Sequence, residues 1–133
     1  MAQDIPVYNA MDVSISINGR VIQGFQENDM FSAQYKEDQV RTNVDAQGSP
    51  SMAINNNHLG QITVNLSGSS RDYKTLLTLS NTHEVFSVVV ITPIEKITAN
   101  QCLIARQPSA AYGKDTPKRT FTIEALDMQM DPK

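Results

Sequence analysis

The sequence predicts a mainly β chain, an antiparallel β-sandwich or open barrel of about seven strands with one short flanking α-helix at about residues 70–80. Three observations lead there. Apolar and polar residues alternate along 13–17, 61–67 and 120–125, and a strand that alternates has one buried face and pairs antiparallel. Asn18-Gly19 stands between two apolar runs, the pair a tight hairpin turn needs because both positions take φ > 0. Good helical spacing, i, i+3, i+4, falls at Tyr73, Leu76 and Leu77 alone. With 133 residues the chain holds a single domain, 1–133.

In chain order, Val13, Ile15 and Ile17 against Ser14, Ser16 and Asn18 make the first strand, and residues 20–25 return from the turn. The period then fades. A short strand is expected near 38–45, within a long polar loop over about 34–57 that ends in Asn55-Asn56-Asn57. Loops of that length in a small domain are commonly functional or mobile. From residue 59 the alternation resumes, with Ile62, Val64 and Leu66 on one side and Gln61, Thr63, Asn65 and Ser67 on the other. Gly68-Ser69-Ser70 ends that strand, and Ser69 or Ser70 suits the N-cap of a helix of about three turns over 71–79.

Phe86-Ser87-Val88-Val89-Val90-Ile91 is β-branched and nearly continuous, which predicts a central strand covered on both faces and closed by Pro93. Ile97, Ala99, Leu103 and Ile104 mark a partner strand over 96–106, and the Pro-bearing 107–117 is a loop. Phe121, Ile123 and Ala125 point one way; after a slip at Leu126, Met128 and Met130 do, as a bulge would allow.

Candidate chemistry is thin. His58 and His83 are the only histidines and lie on separate elements, with no Cys-x-x-Cys, so neither a metal site nor a cofactor is expected. The single Cys102 sits in an apolar strand pattern, where a free cysteine is a small core residue, and it has no internal disulfide partner. A Gly-x-Ser-x-Gly elbow and a Gly-rich phosphate loop are absent, and Glu37-Asp38 reads as a solvated turn rather than a carboxylate dyad. No catalytic constellation emerges, and the chain is not expected to be an enzyme.

Eleven basic against fourteen acidic side chains give −3, which argues against a clamp that neutralises phosphates. Apolar runs such as Val88-Val89-Val90-Ile91 are far too short to span a membrane, so no membrane insertion is expected. Met-Ala-Gln-Asp-Ile-Pro predicts no secretory leader.

What remains is surface. Charged residues make up 19%, so polarity comes largely from amides and hydroxyls. Ser14, Ser16 and Asn18 on one strand, and Gln61, Thr63, Asn65 and Ser67 on another, form either an ordinary solvated face or a neutral lining that offers a polyanion few cations. No row of Pro or Lys guards 59–67, and an unpaired edge there would invite pairing with another chain. A β-sandwich glycan-binding module is the alternative from another class; the lack of Trp and the 6% aromatic content weigh against it.

The hairpin at 12–25, the long polar loop, and then Gln61-Ile62-Thr63-Val64-Asn65-Leu66 followed by Ser69-Ser70-Arg71-Asp72-Tyr73-Lys74-Thr75-Leu76-Leu77 resemble, in that order, the tail tube proteins of contractile-tailed bacteriophages. That family shares its fold with type VI secretion and pyocin tubes, which are alternative readings. The resemblance covers most of the chain, 12–25 and 58–80 above all. It implies a β subunit with a flanking helix, joined edge to edge into hexameric rings that stack into a hollow tube. It also implies a place in the tail of a virion, assembled in the host cytoplasm. The implied partners are further copies, the tape-measure protein, a contractile sheath, a baseplate, a tail terminator and DNA in passage. On this reading Gln61, Thr63, Asn65 and Ser67 face the lumen, and Lys36, Asp38, Arg41 and Asp45 belong to the loop between rings. Six copies of a −3 chain carry −18, which keeps DNA from adhering to the wall.

Overall fold

The structure, a computed structural model, describes residues 7–25 and 30–133. After a single 3-10 turn at Ala10–Asp12, strand β1, Ser14–Ile17, buries Ile15 and Ile17 and leaves Ser14 and Ser16 half-buried on the other face. Asn18 at φ 54° and Gly19 at φ 82° turn it into β2, Arg20–Val21, with Ile17 opposite Arg20. This is the tight turn that the Asn-Gly pair predicts.

The return strand is shorter than 20–25 because the chain crosses from one margin of the sheet to the other. Ile22 N–H still donates to Ile15 O at 3.0 Å, but Ser67 N–H donates to Gly24 O at 2.8 Å and Phe25 bridges Leu66. Gly24 permits the crossing: its φ is +81°, and a Cβ there would lie 2.6 Å from that of Ser70.

The remaining elements are β3, Phe31–Tyr35; β4, Val40–Val44; β5, Pro50–Ile54; β6, Gly60–Ser67; α1, Asp72–Thr82; β7, Phe86–Ile91; β8, Glu95–Arg106; β9, Lys118–Ala125; and β10, Met128–Pro132. Eight strands form one antiparallel sheet, ordered β2-β1-β7-β8-β9-β6-β3, with β10 also against β8; β4 and β5 pair separately. The crossing at 22–25 ties the β1 side to β6, so the sheet curls into an open barrel. Its inner face packs Ile15, Ile17, Ile62, Val64, Leu66, Val88, Val90, Phe121 and Ile123, and α1 adds Leu76 and Leu79.

The helix starts one residue past the expected serine cap, with Arg71 at the N-cap making no side-chain cap bond, while Ser70 still braces the first turn. Ser70 Oγ accepts from Asp72 N–H at 3.2 Å and donates to Gln23 O at 2.5 Å. The buried Asp72 carboxylate then accepts from Arg20 Nε at 2.5 Å and from Gln23 N–H at 2.8 Å, anchoring the helix to the chain crossing. His83, at φ 55°, ends the helix in the left-handed region.

Four further expectations change. Strand β6 is not an edge: β3 and β9 pair with it on either side, and the open margin is that of β3. Strand β7 is central but buries one face only, since Ser87 and Ile91 are exposed and, among the described residues, no layer covers that face. The segment read as a long polar loop is largely a β-hairpin, with β5 as the unexpected return strand. The slip at Leu126 is shared between strands. Asn100 and Gln101 of β8 bulge opposite Ser87, where Phe86 pairs with Cys102 and Val88 with Ala99. Across the other side Cys102 pairs with Ala125 and Ala99 with Met128, so Leu126 and Asp127 slip in step with the bulge.

Candidate assembly surface

Along β6, Gln61, Thr63, Asn65 and Ser67 alternate with the buried Gly60, Ile62, Val64 and Leu66 and share the outer face of the sheet. Cross-strand neighbours extend that polar face. Thr63 lies between Ser32 and Thr122, Gln61 between Gln34 and Glu124, Asn65 beside Thr120 and Ser67 beside Lys118. Thr120 Oγ1 donates to Asn65 Oδ1 at 3.0 Å. The Glu124 carboxylate is neutralised by the Lys36 ammonium, its ion-pair partner. The face is therefore built chiefly from hydroxyls and amides, which offer a passing polyanion little to hold.

At the margin of this face, Asn65 N–H donates to Met30 O and Lys36 N–H to Leu59 O, which fixes the phase of the β3–β6 ladder. The alternation of antiparallel bonding turns the backbone groups of Phe31, Ala33 and Tyr35 outward. No described strand pairs that margin. Phe31, Ala33 and Tyr35 lean on the core, and Tyr35 Oη donates to Met128 O at 3.0 Å, so the open strand is held in place from behind.

The β4–β5 hairpin pairs with no strand of the large sheet. Its register puts Val40 opposite Ile54, Thr42 opposite Met52 and Val44 opposite Pro50 on one side, with Arg41 opposite Ala53 and Asn43 opposite Ser51 on the other. Every residue of both strands is exposed, and Val44, Met52 and Ile54 keep 67%, 67% and 69% of their surface. Its base is tied down by Asn55 N–H to Gln39 O at 2.8 Å, and by Asn55 Nδ2 and Asn57 Nδ2 to Glu37 Oε2 at 3.0 and 3.2 Å. Glu37 is thus occupied as a tether. A lone two-stranded hairpin is marginal in water, so this one stands to gain from a cover.

The four loop residues separate. Asp45 holds the hairpin tip, its Oδ1 accepting from Gln47 and Ser49 N–H at 2.9 and 2.8 Å. Arg41 lies on β4, and Asp38 stands at the base, its carbonyl accepting from Asn55 Nδ2 at 3.1 Å. Lys36 belongs instead to the polar face, through Glu124.

No constellation for chemistry forms around the remaining candidates. Cys102 is fully buried; burial lifts its thiol from 9.0 to about 11, against a smaller lowering by a backbone hydrogen bond from Val88. The His58 ring meets Tyr35 edge-on at 6.3 Å. Among the described residues no group of three or more His, Cys, Asp and Glu stands close enough to hold a metal ion, and no helix is long and apolar enough to cross a membrane.

Two features lay outside the sequence reading. The β3 margin had a signal, since Phe31, Ala33 and Tyr35 alternate with Ser32 and Gln34. Arg119 had none. It is buried at 2% exposure, its Cζ lies 5.7 Å from the Tyr73 ring and 4.9 Å from the Tyr112 ring, and Nη1 donates to Ala111 O and Lys118 O at 3.2 and 3.0 Å. Its Nε is buried without an acceptor.

No family model matches the chain, and no curated protein matches it. Solved structures do. The chain superposes on the tube-terminating cap of the anti-feeding prophage with a TM-score of 0.63 at 10% identity, covering 100% of this chain and 95% of that one. A chain of the PVC sheath–tube complex, an extracellular contractile injection system in its extended state, gives 0.62 at 16%, covering 98% and 93%. The PVC sheath/tube terminator gives 0.57 at 14%, covering 98% of both. The chain therefore shares the fold of these contractile injection system chains over nearly its whole length.

Proposed function

We propose that this chain is a structural, non-catalytic subunit of a tube, joining margin to margin into hexameric rings that stack. The β4–β5 hairpin carries the reading: it stands off the body with Val40, Val44, Met52 and Ile54 bare along one side, a shape suited to a seat on another copy. The outward backbone groups of β3 supply the lateral joint. Gln61, Thr63, Asn65 and Ser67 then line the bore, and the apolar side of the hairpin seats on the next ring with Asp38, Arg41 and Asp45 around it. The shared fold and the phage resemblance support a sheath and a terminator as partners. They also extend the proposal to a tape-measure protein, a baseplate and the passage of DNA, in the tail of a virion or tail-like particle.

A second reading has its own support. A tube cap and a sheath/tube terminator are among the similar structures, which supports a chain that ends a tube instead of building it. Electron microscopy of the purified chain at high concentration separates the two. Stacked tubes are expected; isolated rings that never stack would favour the cap, and a strictly monomeric chain would sink both.

A further inference from the structure

We propose that residues 107–117 form a strap across α1 that opens and closes on its own, with Tyr112 as its latch on Arg119. The ends of the strap are fixed. Gln107 Nε2 donates to Asn81 Oδ1 near the end of α1, and Gly68 N–H donates to Pro117 O at 2.5 Å. A Cβ on Gly68 would lie 2.7 Å from that oxygen, so glycine is what allows the close approach. Between these ends the strap is largely exposed, and its middle is held on Arg119 by the Tyr112 ring, by a Tyr112 side-chain hydrogen bond and by the Ala111 carbonyl on Nη1.

Arg119 reaches from β9 with Tyr73 of α1 on one side and the strap on the other. It has no ion pair among the described residues. Closing the strap gains the attraction between cation and ring. It also strips water from Nε, which finds no acceptor in the closed form. Lifting the strap hydrates Nε while Arg119 keeps Tyr73 and the Lys118 carbonyl. The gain and the cost oppose each other, and that balance makes a two-position element. Asp115, Thr116 and Pro117, at the fixed end of the strap, wall a recess of about 500 Å³ shared with Phe25, Ser67, Ser69 and Lys118.

Limited trypsin digestion of the full chain, read by mass spectrometry, tests this at Lys114, which is exposed within the strap. When opening is fast, cleavage there follows the open population. Tyr112→Ala should speed cleavage at Lys114 by about tenfold, from loss of the ring contact. Cleavage at Lys74 and Lys96 should not change, and Tyr112→Phe, which keeps the ring but loses the hydrogen bond its hydroxyl accepts from Arg119, should fall between the parent and Tyr112→Ala. Equal cleavage at Lys114 in Tyr112→Ala would show that Tyr112 is no latch. Cleavage at Lys114 that rises only together with Lys74 and Lys96 would show that the strap moves only with the whole fold. Either result overturns the proposal.

Discussion

At Cys102 the fold sets a testable limit on chemistry. Burial holds the thiol protonated up to about 11, compared with 9.0 when solvated. A thiolate is the reactive form, so the native chain should resist maleimide at neutral pH and react fast once unfolded. The sign for stability follows from linkage. A group whose pKa is raised by folding contributes stability that is present below its unfolded pKa and lost as pH climbs through the folded one. The parent should therefore lose stability relative to Cys102→Ala between pH 9.0 and about 11, and a flat difference across that window would contradict the burial.

Residues of this kind were legible. Ile15, Ile62, Val64 and Phe121 fall where a period of two places them, because the sheet itself imposes that period, whereas Cys102 is buried only because the bulge at Asn100-Gln101 resets the phase after Ala99. Arg119 was not, because its surroundings come from α1 and a loop that no periodicity connects to β9.

Among the elements, the hairpin shows what sequence reading misses. Its strands alternate around side chains that nothing in the same chain buries, so Val40, Val44, Met52 and Ile54 read as scattered apolar residues within a polar stretch. The β7 run misled in the opposite sense: Val88, Val89, Val90 and Ile91 match a strand covered twice, yet the outer side carries Val89 between Ser16 and Thr98 without a covering layer among the described residues. Val44→Asp with Met52→Asp tests the hairpin. Exposed substitutions of this kind change stability by about 0.5 kcal/mol or less, so the chain should melt as before. Tubes should no longer form, or only at far higher concentration. Tubes that assemble unchanged would remove the hairpin from the stacking contact, and removal of 46–51 offers an independent check on the same element.

For the molecule as a whole, surface area makes the case for company. The chain presents 9448 Å² to solvent. A compact chain of this mass presents roughly 6,900 Å². The bare hairpin, exposed at every position of both strands, is part of that excess, and the proposed assembly would cover it.

The paired slip at Asn100-Gln101 and Leu126-Asp127 bears on how wide such an assembly is. Removing Gln101 alone, or Asp127 alone, puts β8 and β9–β10 out of step and turns core residues toward water, so either shortened chain should fail to fold. Removing both restores unbroken alternation from Ile97 to Ile104 and from Phe121 to Met130, at the loss of the bend that a bulge creates. The doubly shortened chain should fold and close circles of larger diameter, countable in end-on images. Single deletions that fold as well as the pair would show the two slips to be independent. In the proposed assembly, calibre would follow the wedge angle of each stave, and the bend at Asn100-Gln101 would contribute to that angle.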